Sequence, residues 1–228
     1  MNLLSWNCQG LGNPSTIQAL SSLIRQQDPK LVFLSETRCN KSKLEIIKFR
    51  LGFSKMFVVP SRGFSGGLCQ LWRDDVDLSI LSYSFNHIDT VCDNFGIEGK
   101  WRLTGFYGCP QSADRSSSWN LLSTLGQQVS LPWICFGNFN EILSVNEKRG
   151  GLVRANRLME AFQSVLSNCE LSDLGFVGCP FTWSTSRSGG ISCRLDLRSK
   201  IPLWSALSHC FPAKRSTGDM LPTGEDIT

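Results

Sequence analysis

Histidine is scarce in this 228-residue chain: only His87 and His209 occur. That excludes most zinc sites, which rely on imidazole ligands. The ten cysteines are scattered and never form a C-x-x-C pair, which excludes zinc ribbons and dithiol redox sites. No apolar stretch approaches the ~20 residues of a membrane helix. The opening Met1-Asn2-Leu3-Leu4-Ser5-Trp6-Asn7 lacks the basic start and long apolar run of a secretory leader. The expectation is an intracellular, nuclear or cytoplasmic, protein with free thiols and no membrane contact. There is also no Lys/Arg block, and 23 basic residues against 19 acidic give a net charge of only +4. Such a balance permits an acidic partner such as nucleic acid without requiring one. What is present is core: 41% hydrophobic and 18% charged residues suit a globular chain, and the length suits one large domain.

Short apolar runs recur, each ending in polar or turn residues. They are Leu3–Trp6 before Asn7, Leu31–Ser35 before Glu36, Trp101–Phe106 before Tyr107-Gly108, and Trp133–Phe136 before Gly137-Asn138-Phe139-Asn140. These read as buried strands. Helical spacing lies between them: Ile17, Leu20, Leu23 and Ile24 after Asn13-Pro14; Leu44, Ile47 and Leu51 before Gly52. Trp119, Leu122 and Leu125 make a third helix, and Met159, Phe162, Val165, Leu166 and Cys169 a fourth. The stretch from Lys55 to Tyr107 reads as strand-rich, with Gly66-Gly67 marking a hairpin or a close backbone approach. The pattern predicts an α/β protein with helices packed on sheet layers. One domain is expected over residues 1–200, followed by a divergent, poorly ordered tail over 201–228 rich in Pro, Gly, Ser and Thr.

Buried strands that deliver polar side chains at their ends are how α/β scaffolds build sites. Asn7, Glu36, Tyr107, Asn138 and Asn140 share that placement and offer one carboxylate, three amides and a phenol. An oxygen-only set suits a hard cation such as Mg²⁺, and phosphodiester hydrolysis needs such a cation, donors for the phosphoryl oxygens and a base. Singly, each residue has a plainer reading: a solvated strand end or helix cap for Glu36, turn residues for the asparagines, packing for Tyr107. Their order and spacing decide.

That ordered set resembles the endonuclease/exonuclease/phosphatase superfamily, with its DNase I-like fold. The carrying segments are Ser5-Trp6-Asn7-Cys8-Gln9-Gly10, Leu34-Ser35-Glu36-Thr37, Ser65-Gly66-Gly67-Leu68, Gly105-Phe106-Tyr107-Gly108 and Gly137-Asn138-Phe139-Asn140. Asp173-Leu174-Gly175-Phe176, Phe181-Thr182-Trp183 and Arg194-Leu195-Asp196 follow in unbroken order. The closest likeness is to the endonuclease domain of plant-type non-LTR (LINE-type) retrotransposons. The resemblance implies a four-layer α-β-β-α sandwich of two packed mixed sheets. It implies that Glu36, with Asn7, binds Mg²⁺ or Mn²⁺, and that Asn7 and Gln9 serve the phosphate. Tyr107 would contact the phosphate, Asn140 the phosphate or attacking water, and Asp196 would orient a terminal histidine. DNA is the implied partner of a monomeric domain normally fused to a reverse transcriptase.

Two departures qualify the expected activity. Position 138 is Asn where the family writes Asp, and a neutral amide cannot take a proton. The family's closing Ser-Asp-His is missing: Ser208-His209 lacks the Asp and follows Asp196 too closely, so His209 reads as a tail residue. The C-terminal part is therefore expected to be incomplete. The expectation is a nicking hydrolase with impaired catalysis. A non-catalytic relic or nucleic-acid-binding module, and a phosphatase of the same superfamily, stand as alternatives.

Overall fold

Strands buried on both faces need cover on both sides, and that requirement dictates the layering here. Every residue of Leu31–Ser35, Leu68–Trp72 and Trp133–Asn138 is buried. The computed structural model describes residues 2–61, 63, 66–93, 99–128, 130–175, 180–184, 191–194 and 196–200. In chain order its elements begin with β1 (Leu3–Asn7), α1 (Pro14–Gln27), β2 (Leu31–Ser35), α2 (Lys41–Arg50), β3 (Lys55–Val59) and β4 (Leu68–Trp72). There follow β5 (Asp77–Ser84), β6 (His87–Asp93), β7 (Lys100–Tyr107), α3 (Arg115–Gly126), β8 (Trp133–Asn138), β9 (Lys148–Arg149) and α4 (Asn156–Asn168). Four short pieces close the described chain: β10 (Ser172–Asp173), β11 (Trp183–Ser184), β12 (Ser192–Cys193) and β13 (Asp196–Lys200).

Two large sheets run β1-β2-β4-β3 and β10-β13-β8-β7-β6-β5, and β11-β12-β9 make a small third. Both large sheets are mixed, because β1/β2 and β7/β8 pair in parallel while their other neighbours are antiparallel. Three apolar layers separate four structural ones. Leu20, Ile24, Leu44 and Ile47 of α1 and α2 pack on Val32, Leu34 and Leu71. Leu31, Phe33 and Leu68 meet Ile88, Leu103 and Phe136 between the sheets. Trp119, Leu122, Phe162 and Leu166 of α3 and α4 cover Phe106, Trp133 and Cys135. The expected four-layer α-β-β-α sandwich is what the chain adopts. Phe33 and Phe136 clasp the sheets edge to face, with ring centroids 5.8 Å apart. Such a pair contributes about 0.5–1.5 kcal/mol beyond its buried area.

Local signals account for the helix ends. Asn13 Oδ1 accepts from Ser15 N–H and Pro14 takes the first turn of α1, while Asn40 Oδ1 accepts from Lys43 N–H at the start of α2. Gly52, with φ 76°, takes the left-handed position that ends α2. The eight cysteines among the described residues are free, as expected. Burial pushes the Cys8 thiol up to about 12, so it stays protonated. Among the described residues no helix is long and apolar enough to cross a membrane. The predicted tail, His209 included, and the expected incompleteness of the C-terminal part fall outside the described residues.

Candidate active site

Parallel pairing puts strand C-termini side by side, so the polar residues that end these strands gather at one rim. In the first sheet Asn7 is paired with Ser35, which sets Asn7 beside Glu36. In the second, Tyr107 is paired with Asn138, and Asn138 is paired on its other side with Asp196 of β13. The two rims meet at Glu36. Its Oε1 accepts from Asn7 Nδ2 at 2.8 Å and from the Tyr107 hydroxyl at 3.0 Å, the latter bond running from one sheet to the other. Its Oε2 accepts from Arg38 Nη2 at 2.6 Å. Burial, and then the Glu36 charge beside it, push the Tyr107 phenol well above its usual range, so it remains a donor.

The second half of the rim is built on backbone. Asn138 Oδ1 accepts from Asn140 N–H at 2.9 Å, and Asn140 Nδ2 donates to Gly108 O at 2.7 Å. Gly108 N–H donates to Asn138 O at 2.8 Å. Both amides are thereby locked next to Tyr107. Gln9 is exposed, and its backbone N–H donates to Asn7 Oδ1 at 3.2 Å. Asp196 reaches the rim through backbone register opposite Asn138.

Left-handed backbone concentrates here. Gln9, Glu36, Arg38 and Asn140 have φ between 46° and 54°. Such residues persist only where surrounding bonds over-determine them, and they cluster at functional sites. Around Glu36 those bonds come from the connection between β3 and β4. Thr37 and Arg38 donate their N–H groups to Gly67 O and Gly66 O at 3.1 and 3.2 Å. A Cβ on Gly67 would sit 2.5 Å from Thr37 Oγ1, and its φ is 87°, so glycine alone fits. Gly66-Gly67 thus serves both as hairpin connection and as close approach.

Three participants are not among the site residues the sequence singles out. Arg38 neutralises the Glu36 carboxylate. Glu141, directly after Asn140 and buried, binds Arg115 Nη1 at 3.2 Å and Arg154 Nε at 2.9 Å. Asn86 clamps Tyr107 from the β5–β6 turn: its Nδ2 donates to Tyr107 O at 2.8 Å and its O accepts from Tyr107 N–H at 2.7 Å. Truncating Asn86 leaves a part-buried carbonyl unmatched, so Asn86→Ala is expected to lower the unfolding free energy by about 1 kcal/mol in urea titrations. A variant as stable as the parent would show that the clamp contributes nothing.

The Glu36 carboxylate suits a hard cation that keeps several waters and takes phosphate oxygens. Asn7 turns its Nδ2 to Glu36 and its Oδ1 to the Gln9 N–H, so its oxygen would join such a cation only after the amide turns over. Among the described residues no three His, Cys, Asp or Glu side chains cluster as a metal cage. A cation here would rest on a single carboxylate.

Comparison with known proteins identifies a family and matches the fold. The Endonuclease/Exonuclease/phosphatase family model matches residues 4–197. The fold is similar to the endonuclease domain of TRAS1, a telomere-specific non-LTR retrotransposon (TM-score 0.60, 13% identity, 88% of this chain and 84% of that one). It is similar to an AP endonuclease from Archaeoglobus fulgidus (TM-score 0.61, 14% identity, 88% and 85%). It is also similar to the 3' phosphatase NExo from Neisseria, solved with a product DNA hairpin (TM-score 0.63, 14% identity, 87% and 86%). No curated protein matches the chain by sequence.

Proposed function

Because the chain belongs to the endonuclease/exonuclease/phosphatase family, we propose that it is a divalent-metal-dependent phosphodiesterase of retrotransposon type that nicks DNA, with turnover held down by Asn138. The observation that carries this reading is the convergence of Asn7, Tyr107 and Arg38 on the Glu36 carboxylate where the two sheets meet. Family members generally depend on a divalent metal, and Glu36 with Asn7 would hold Mg²⁺ or Mn²⁺ here. Bound there, the cation offsets the charge that builds on the phosphoryl oxygens.

The chain's own residues supply the rest. Tyr107 is kept protonated, and its one O–H, given to Glu36 in the free protein, turns to a phosphate oxygen when substrate binds. Asn7, which ends β1, and Gln9, just beyond it, would serve the same phosphate. Asn140, fixed through Gly108, orients the phosphate or the attacking water. Asn138 can orient a water as donor or acceptor but cannot remove its proton. Asp196 would orient a histidine from a closing strand.

Supercoiled plasmid incubated with the full chain in Mg²⁺ or Mn²⁺ is expected to nick slowly, and nicking is expected to vanish in Glu36→Ala and in excess chelator. Nicking that survives both treatments would overturn the reading. The likeness to a 3' phosphatase favours one second reading, the removal of terminal phosphate. Release of inorganic phosphate from 3'-phosphorylated oligonucleotides, with plasmid left intact, would select it.

A further inference from the structure

The segment Lys148–Arg157, which reads Lys-Arg-Gly-Gly-Leu-Val-Arg-Ala-Asn-Arg, holds four basic residues and no acidic one. At its tip stand Leu152 and Val153, 89% and 86% exposed. Both side chains stand outside the core, in water and free to meet a partner. The tip is displayed on a rigid base. Gly150 and Gly151, with φ 78° and 67°, make the turn, and a Cβ on Gly151 would meet the Ile191 side chain at 2.7 Å. β9 at the loop's start pairs with β12, and Lys148 Nζ bonds Leu152 O across the turn. On the far side Arg154 is tied to Glu141 and, through Nη1, to Ser112 Oγ at 2.8 Å. Glu141 adjoins Asn140, so the loop springs directly from the wall of the candidate site. Arg149 and Arg157 are exposed and form no ion pair among the described residues.

We propose that this loop is a duplex-DNA grip beside the reacting phosphate: Arg149 and Arg157 hold backbone phosphates while Leu152 and Val153 press into the groove against base edges. The proposal rests on the nuclease reading and names how its substrate is held. Charge complementarity selects the occupant, since an unopposed basic flank around an apolar tip suits a polyanion that also presents apolar base edges. Apolar wedges flanked by basic residues are a known physical solution for groove binding. Each phosphate contact releases counterions, and apolar contacts do not, so the two halves of the loop are separable by salt.

The test is fluorescence anisotropy of the full chain with a labelled 20-base-pair duplex in EDTA, across a KCl series. Arg149→Ala/Arg157→Ala is expected to flatten the plot of log Kd against log[salt] by about 2 units of slope. Leu152→Ser/Val153→Ser is expected to weaken binding about tenfold with the slope unchanged. Both pairs are solvent-facing, so the fold should tolerate the changes, and circular dichroism checks this. Duplex binding unaltered by both double variants would overturn the proposal. Loss of self-association in Leu152→Ser/Val153→Ser, with DNA binding intact, would overturn it in favour of a contact between copies. The assay needs no catalysis: duplex binding that depends on the loop, with no nicking under any metal, would leave the grip standing and remove the nuclease reading. Glu36-dependent nicking insensitive to the loop would do the reverse.

Discussion

Replacing Asn138 with aspartate is expected to raise metal-dependent plasmid nicking by about 10²–10⁴-fold, the usual contribution of general-base help. The substitution is nearly isosteric, and the existing geometry accommodates it. Asn138 is 6% exposed, and its Oδ1 already accepts from the Asn140 N–H, a bond that a carboxylate oxygen makes at least as well. What changes is the other atom: Nδ2, a donor, becomes an oxygen able to take a proton from water. Burial raises the pKa of a carboxyl group introduced here, toward the range in which a base works near neutral pH. The variant's rate should therefore climb with pH until that carboxyl is ionised and then level off, a limb the parent lacks. Adding Glu36→Ala to the same variant should return it to background. An Asn138→Asp protein no faster than the parent at any pH would show that position 138 is not what limits turnover.

The departure at 138 was legible because it interrupts a motif, and the same holds for most of the fold. Runs such as Leu31–Ser35 are too apolar to be surface strands, and Asn13-Pro14 and Gly52 punctuate helices by local chemistry that survives folding unchanged. β9 to β12 were not legible, since two-residue strands hold no period. The site divides in the same way. Asn7, Glu36, Tyr107, Asn138 and Asn140 stand at strand ends, where sequence position predicts spatial position. Arg38 joins them only because Glu36 and Arg38 both take left-handed backbone, which nothing in their identities announces. Asn86 lies 21 residues before Tyr107, and only β-sheet register brings them together. The four basic residues of Lys148–Arg157 are too spread to register as a charge block, and only the fold shows that Arg154 is paired with Glu141 while Arg149 and Arg157 stay exposed.

A second large effect is expected far from the rim, at a charge pair the sequence hides. Nothing in the sequence pairs Arg102 with Asp89, yet they are 0% and 1% exposed and in contact. Arg102 Nε and Nη2 donate to Asp89 at 2.9–3.1 Å, and Nη1 donates to Leu125 O at 2.6 Å, near the C-terminal end of α3, where a cation is favoured. The Thr104 hydroxyl donates to Asp89 at 2.5 Å, Trp133 Nε1 donates to Thr104 at 2.7 Å, and the guanidinium lies 4.6 Å from the Trp133 ring centroid. This network ties the six-stranded sheet to its covering helix. Removing one ion leaves the other buried without a counter-charge, which typically costs about 3–5 kcal/mol. Asp89→Leu and Arg102→Met should each lower the unfolding free energy by that amount, a large share of the roughly 5–15 kcal/mol of a typical domain. The double variant Asp89→Leu/Arg102→Met should recover much of the loss, because no unpaired charge remains. Urea titrations of the four proteins close the cycle. Single variants that each lose less than about 1 kcal/mol would mean that water reaches the pair and that the network does not anchor α3.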